Sequence, residues 1–188
     1  MAGGVKKIVE CPIKVVSKAL SWIMPQPEIP EFGETDFDSF EQGILLNKQS
    51  NDANIPVVYG ERLLGGTRVF LETSGTDNEF LYMALILCEG EINSIEQIRV
   101  DDKVVTFDGA LTHGTTREVA SSDSNFYKDS TSHIQIQAFM GTDDQVASSV
   151  LTPLSSWGSN HRLRGICYLA LRFKWNQDVF GGIPQVQA

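Results

Sequence analysis

Two apolar runs of the 188-residue chain decide its fold: F-L-Y-M-A-L-I-L-C at residues 80–88 and R-G-I-C-Y-L-A-L-R-F-K-W at residues 164–175. Both are rich in aromatic and aliphatic residues, which pack well on a pleated sheet surface. We predict that both runs are central strands of a mainly β protein. The candidates for burial in the second run are Ile166, Tyr168, Ala170 or Leu171, and Phe173.

Weaker strand patterns flank these runs, at residues 55–59, 67–73, 95–100, 103–107 and 133–140. Asp101 and Asp102 separate the third pattern from the fourth. Because aspartate tolerates left-handed backbone angles, we predict a two-residue hairpin turn at this pair. The last pattern alternates apolar and polar side chains, which is typical of a half-buried strand.

Two segments between the strands have a different character. Residues 108–131 are dominated by Gly, Ser, Thr and Asp, which predicts a long loop. From Thr142 or Asp143, either of which suits a helix N-cap, the sequence predicts a short helix to about Leu151, ended by Pro153. These patterns together predict a β-rich domain over residues 44–188 with one or two short helices.

The first 24 residues predict a separate amphipathic helix over residues 13–24, which Pro12 opens and Pro25 ends. A narrow polar arc leaves the rest of its surface apolar. Four lysines against one glutamate give this segment a charge of +3, which leaves −12 for the rest of a chain whose formal charge is −9. A cationic helix with a wide apolar face needs a partner surface, either a protein groove or a membrane interface.

Residues 25–43 predict an acidic arm that contains three prolines. We consider two interpretations, a flexible tether and an arm whose aromatic side chains dock on a neighbouring subunit. The residues predicted for a protein interface, on the helix and on the arm, are Ile13, Val16, Leu20, Ile23, Phe32, Phe37 and Phe40.

The composition excludes several classes of protein. Hydrophobic residues make up 41% and charged residues 21%, as in a folded domain, and the net charge disfavours a broad basic surface for nucleic acid. The three cysteines are far apart, which argues against a disulfide framework or a zinc site. Cys88 and Cys167 lie in apolar runs, so we predict buried free thiols, as in a protein assembled in a reducing cytosol.

Candidate catalytic residues are few and scattered. His113, His133 and His161 lie on unrelated segments without metal-ligand spacing, and no nucleophile-elbow motif occurs. Glu89 and Glu91 flank a glycine, which fits a pair of acid–base carboxylates but is more typical of a turn. The basic cluster at residues 161–164 fits an acidic partner or a solvated strand entry. We therefore predict no catalytic residue, no cofactor and no bound metal.

Six segments carry a resemblance to a known family. In order they are G-I-L-L-N-K-Q-S-N-D-A-N-I-P-V-V-Y-G (43–60), L-L-G-G-T-R-V-F-L-E-T-S-G (63–75), F-L-Y-M-A-L-I-L-C-E-G-E-I (80–92), G-T-D-D-Q-V-A-S-S-V-L (141–151), H-R-L-R-G-I-C-Y-L-A-L-R-F (161–173) and F-G-G-I-P (180–184). Through them, residues 43–188 resemble the N-terminal region of the bacteriophage tail tip attachment family, also called host-specificity or tip attachment protein J. The order and joint presence of the segments carry the resemblance.

The resemblance implies a structural role without enzymatic activity. Members form the central hub of long tails, usually as a homotrimer that closes the tail tube, and their early domains are hub-type β-barrels or sandwiches. The implied partners are the distal tail ring, the tape measure and other tip proteins, and the implied location is the virion tail tip after assembly in the host cytoplasm. The resemblance also implies a chain truncated at its C-terminal end, with receptor-binding parts further downstream.

Two other functions remain as alternatives. One is a receptor-binding module for a host surface molecule, and the other is a cell-wall hydrolase domain. A three-fold assembly with other tail proteins favours the hub, whereas a deep cleft that holds Glu89 or His133 favours the enzyme.

Overall fold

The structure, a computed structural model, describes residues 47–49 and 54–188 of the chain. The predicted helix over residues 13–24 and the arm over residues 25–43 lie outside these residues. The described part is mainly β, and its one helical element is a 3₁₀ turn at Thr76–Asn78.

Eleven strands run through the described residues. In chain order they are β1 (Lys48–Gln49), β2 (Thr67–Ser74), β3 (Phe80–Glu89), β4 (Arg99–Val100), β5 (Lys103–Val104), β6 (Thr116–Glu118), β7 (Tyr127–Lys128), β8 (Thr131–Ser132), β9 (Ile134–Met140), β10 (Ile166–Lys174) and β11 (Val186–Gln187). A six-stranded sheet has the order β1-β2-β3-β10-β9-β6. A smaller sheet has the order β11-β4-β5, and β7 and β8 form a hairpin.

The two strands predicted to be central are central. The strands β3 and β10 pair with each other in the antiparallel direction, and β2 and β9 pair along their outer sides. The register places Leu85 opposite Leu169 and Met83 opposite Leu171. Of the residues predicted to be buried in β10, Tyr168, Ala170, Leu171 and Phe173 have no exposed surface, and Ile166 is half-buried.

Both faces of the six-stranded sheet are covered, which explains why the two runs are apolar at nearly every position. The first face carries Met83, Leu85, Leu169 and Leu171. It packs on residues from the smaller sheet and the nearby loops, namely Ile98, Val100, Val105, Val119, Phe126, Phe180 and Val186. The second face carries Tyr82, Ala84, Ile86, Tyr168 and Ala170, and it packs on Val150, Leu151, Leu154 and Trp157.

The described strands form open sheets and not a closed barrel, since the six-stranded sheet ends at β1 on one side and at β6 on the other. Val100 of β4 and Val186 of β11 belong to the hydrophobic cluster on the first face. Of the two predicted forms, barrel and sandwich, this arrangement is consistent with the sandwich.

The short helix predicted from Thr142 or Asp143 to Leu151 is wrong. Residues 142–165, which we call the turn segment, consist of turns and bends. The Ser148 hydroxyl donates to the side-chain oxygen of Gln137 over 2.7 Å and accepts from the amide of Val150 over 3.2 Å. Serine side chains that bond in this way compete with the backbone bonds of a helix.

The loop predicted over residues 108–131 is only partly a loop, because it contains β6, β7 and the turn before β8. The buried carboxylate of Asp123 orders it. This carboxylate accepts hydrogen bonds from the amides of Thr106, Asn125 and Phe126 over 2.8–3.1 Å. A charged acceptor that satisfies three backbone donors holds an otherwise polar excursion against the core.

The other local predictions vary in outcome. Asp101 and Asp102 have φ angles of 48° and 63° and connect β4 to β5, so the predicted two-residue hairpin is confirmed. The strand predicted over residues 55–59 is reduced to a single bridge between Val57 and Glu89, and only the last two residues of 95–100 form a strand.

Candidate functional site

A cleft of about 600 Å³ opens where two loops and the end of the described chain meet. The loops are residues 58–64 and 92–99, and Ala188 closes one side. The floor is apolar and includes Leu64, Leu87, Cys88, Ile92 and Ile95. An apolar cleft with a polar rim is the usual form of a binding site, so this cleft is a candidate functional site.

Local sequence positions the walls of the cleft. Gly60, with φ of 74°, reverses the first loop. The amide of Glu89 donates to the carbonyl of Pro56 over 2.9 Å, which fastens the start of that loop to the end of β3. Leu64 and Ala188 exchange two backbone hydrogen bonds of 2.7 and 2.9 Å, so the far end of the loop is held by the C-terminal residues.

Asn47 strengthens this closure with its side chain. Its amide group donates to the carbonyl of Val186 over 2.7 Å and accepts from the Val186 amide over 2.7 Å, and it also donates to the carbonyl of Gly65. One side chain thus joins the start of the described domain to β11 and to the glycine pair before β2. No sequence pattern predicts this role of Asn47, because most of the backbone groups that it bonds lie far away in the chain.

Four charged side chains line the rim of the cleft, namely Glu61, Arg62, Glu96 and Arg99. Their charges cancel, so the rim has no net preference for an anion or a cation. Tyr59, beside the cleft, is 86% exposed. The combination of an apolar floor, a balanced polar rim and an exposed aromatic residue is more typical of a contact surface than of a catalytic pocket.

Two thiols meet beneath the cleft. Cys88 of β3 and Cys167 of β10 are directly opposite one another in the antiparallel register, and both are buried and free, as predicted. The adjacent Cys167 side chain lowers the pKa of the Cys88 thiol, whereas the adjacent Cys88 and burial raise the pKa of the Cys167 thiol.

The three histidines do not converge. The ring of His113 accepts a bond from the amide of Met140 through Nδ1 over 3.2 Å and packs edge-on against Phe139. His133 is buried with Nδ1 3.0 Å from the carbonyl oxygen of Lys174. His161 is exposed, and its Nδ1 lies 2.9 Å from the amide nitrogen of Gly158. Each ring has a structural contact on a different part of the molecule.

The carboxylates also have structural positions. Glu89 ends β3, Glu91 is exposed in the following turn, and Gly90 between them has φ of 92°. Asp101 accepts a bond from the amide of Gln185 over 2.9 Å. Among the residues that the structure describes, no group of three or more His, Cys, Asp or Glu side chains is placed to hold a metal ion.

The residues predicted for a protein interface, Ile13, Val16, Leu20, Ile23, Phe32, Phe37 and Phe40, all lie outside the described residues, so their prediction stays a prediction. Within residues 47–49 and 54–188, no helix has the length and apolar character that crossing a bilayer requires.

Comparison with known proteins gives two similarities. The chain is 25% identical over 173 residues to the baseplate hub protein pb3 of Escherichia phage T5, a match that covers 71% of this chain and 18% of the relative. A chain from the virion of a native gene transfer agent particle matches with a TM-score of 0.49 and 20% identity, over 76% of this chain and 28% of that one. No protein-family model matches the chain.

The chain spans less than a fifth of the length of the baseplate hub protein. The similarity agrees with the resemblance to phage tail proteins in general terms. It does not support membership of the narrower tip attachment protein J family.

Proposed function

We propose that this chain is a structural module of a phage baseplate or tail hub, and that its described domain has no catalytic role. The observation that carries the proposal is the similarity to the baseplate hub protein of phage T5, which extends over most of this chain.

The side chains of the described domain support this role. The polar groups that most often do chemistry, the three histidines and the glutamates at the end of β3, have separate structural contacts. The sheet is buried on both faces, and the side-chain nitrogens of the buried residues Gln137 and Gln145 donate to backbone carbonyls. A domain packed in this way is suited to form a rigid part of the wall of a tail hub.

The finer parts of the proposal follow from the family resemblance. The chain takes part in a homotrimer that closes the tail tube and organises the distal tail ring, the tape measure and other tip proteins. Closed three-fold symmetry suits a protein at the end of a tube. Its location is the tail tip of the virion, after assembly in the host cytoplasm.

Residues 13–24 supply a docking element in this proposal. As a helix, they would present Ile13, Val16, Leu20 and Ile23 on an apolar face, and burial of each would contribute about 1.5–3 kcal/mol. The arm over residues 25–43 reaches up to about 60 Å when extended, which is enough for a neighbouring subunit. Phe32, Phe37 and Phe40 would dock along the way.

A matched pair of variants tests the docking element. Leu20→Asp with Ile23→Asp places two charges on the apolar face, and Ser17→Asp with Ser21→Asp places two charges on the polar arc. We expect the first variant to stall tail assembly with residues 54–188 still folded, and the second to assemble normally. Normal infectious tails from the first variant would contradict docking, and binding of the helix peptide to lipid vesicles would favour the membrane alternative.

Labelling of intact virions tests the hub role itself. Antibodies raised against residues 54–188 are expected to decorate the tail end in electron micrographs. Label on the capsid, or none on any virion, would contradict the proposal. If the purified chain instead binds host cells with saturation, the receptor-binding alternative is correct.

A further inference from the structure

Cys88 and Cys167 occupy a position that no part of the hub role uses. They are Cα partners on the two central strands, and both side chains belong to the hydrophobic cluster of the first face. The third cysteine, Cys11, lies outside the described residues.

The geometry of the pair suits a covalent bond. Directly opposed residues of antiparallel strands have Cα atoms roughly 4.5–5.5 Å apart, and disulfides span about 4.4–6.8 Å between Cα atoms. The register shifts by one residue between Cys167 and Tyr168, which leaves Leu87 as a β-bulge beside the pair. A bulge locally bends the strand, so the sulfur atoms can adjust without separating β3 from β10.

The two thiols differ in their access to solvent. Cys88 lines the cleft of about 600 Å³, whereas Cys167 does not line it and has no exposed surface. The cleft is far larger than the roughly 30 Å³ that one water molecule occupies. A small oxidant therefore reaches Cys88 first, through the cleft.

The difference in access assigns different chemical roles to the two thiols, because only Cys88 lines the cleft. The pKa values agree with this order, since the adjacent Cys167 lowers the pKa of Cys88, while the adjacent Cys88 and burial raise the pKa of Cys167. Because the thiolate is the nucleophile, Cys88 is the thiol that reacts with an oxidant, and Cys167 is the thiol that resolves the product.

We propose that Cys88 and Cys167 are a redox-sensitive pair, which a small hydroperoxide converts to a disulfide across the centre of the sheet. The Cys88 thiolate attacks hydrogen peroxide, breaks its O–O bond and becomes a sulfenic acid, with release of hydroxide. The released hydroxide takes the proton of Cys167 and becomes water, and the Cys167 sulfur then attacks the Cys88 sulfur. The S–S bond forms as the sulfenic oxygen leaves as hydroxide, which combines with the proton that Cys88 gave up to form the second water. The peroxide is reduced to two molecules of water, and the two thiols lose two hydrogen atoms in total.

The bond would join strands that are far apart in the sequence. It closes a loop of about 80 residues in the unfolded chain, and closure of a loop of this length raises the unfolding temperature by about 5–15 °C in a domain of this size. The reaction does not depend on the hub role, so either can fail without the other.

The test uses the full chain with Cys11→Ser, so that the pair is isolated. The folded protein is treated with hydrogen peroxide, free thiols are blocked with N-ethylmaleimide, and peptides are mapped without reduction. We expect a Cys88–Cys167 peptide and a higher unfolding temperature, both reversed by dithiothreitol. Two blocked thiols after peroxide treatment, or a disulfide that forms only in denaturant, would overturn the proposal.

Two further variants test the order of the steps. With Cys11→Ser and Cys167→Ser, the sulfenic acid cannot be resolved, and we expect dimedone to label Cys88. With Cys11→Ser and Cys88→Ser, we expect Cys167 to stay unlabelled. Equal labelling of both thiols would overturn the assigned roles, and peptide mapping of the Cys11→Ser chain decides the proposal even if these variants do not fold.

Discussion

The central strands and the turn segment are both packed into the core of the same sheet, but they are specified in different ways. The strands β3 and β10 are apolar at nearly every position, so most of their residues support the same structure. The turn segment buries Val150, Leu151, Leu154 and Trp157, yet its backbone is fixed by two glutamines, Gln137 and Gln145. Buried apolar residues therefore need not form a helix or a strand where side chains distant in the sequence satisfy the backbone hydrogen bonds.

Removing a buried aliphatic side chain from the central strands is expected to have the largest effect. Leu85 and Leu171 have no exposed surface. Leu85→Ala or Leu171→Ala should lower the free energy of unfolding by about 2–5 kcal/mol, measured by urea denaturation. Val69 on β2 has 46% of its surface exposed, so the control Val69→Ala should change the free energy of unfolding by less than about 0.5 kcal/mol. A change near zero at both leucines would contradict the central position of the strands.

Gln137 connects the two regions, because it lies on β9 but its side chain bonds the turn segment. Replacing it therefore tests whether a side chain of the sheet holds the turn segment in place. Its side-chain oxygen accepts from the Ser148 hydroxyl and the Ser149 amide over 2.7 and 2.9 Å, and its nitrogen donates to the carbonyl of Gly114 over 2.6 Å. Gln137→Ala leaves the buried Ser148 hydroxyl without this partner. We expect a loss of about 2–3 kcal/mol in unfolding free energy.

The matched control for this variant is Gln135→Ala, two positions earlier on the same strand. The Gln135 side chain donates a hydrogen bond to the exposed carboxylate of Glu118. Gln135→Ala is therefore expected to lower the free energy of unfolding by less than about 1 kcal/mol. Hydrogen exchange in residues 145–157 should increase for Gln137→Ala alone. Equal exchange in the two variants would show that Gln137 does not hold the turn segment.

These contacts also show which parts of the fold the sequence can predict. The central strands follow from two runs of mostly apolar residues, and the hairpin at Asp101 and Asp102 follows from local backbone preferences. The turn segment and the cleft depend on pairs that are far apart in the chain, such as Gln137 with Ser148 and Leu64 with Ala188. A single sequence contains no period or spacing that identifies such pairs.

Tyr168 lies between the two regions, and we expect its replacement by phenylalanine to stabilise the domain. Its ring stacks on Phe139 at 4.5 Å, and its hydroxyl is buried without a hydrogen-bond partner. Burial raises the pKa of this phenol, since the charged form would lose its solvation. Tyr168→Phe keeps the stacked ring and removes the unpaired hydroxyl, so the unfolding free energy should rise by about 1 kcal/mol. Tyr168→Leu removes the stacking and should lower it. A loss in both variants would indicate that the hydroxyl contributes a favourable contact.

The hairpin between β4 and β5 should give the smallest effect. Asp102 has φ of 63° and accepts a 3.3 Å bond from the side chain of Gln187. Asp102→Gly relieves the left-handed strain of about 1 kcal/mol but loses this long bond, so a net gain of about 0.5 kcal/mol in unfolding free energy is expected. Asp102→Ala loses the bond and keeps the strain, so it should be destabilising. If both variants change the free energy of unfolding equally, the left-handed backbone conformation of Asp102 does not determine the stability of this turn.

The proposed place of this domain in the wall of a tail hub is tested most directly by the copy number and location of the chain in intact particles. Electron cryomicroscopy of purified tails that carry the chain would give both at once. We expect residues 54–188 to fit density at the tail end, in three copies around the tail axis. Density that lacks this domain at the tail end would contradict the hub role, and two or six copies in the ring would contradict the trimer.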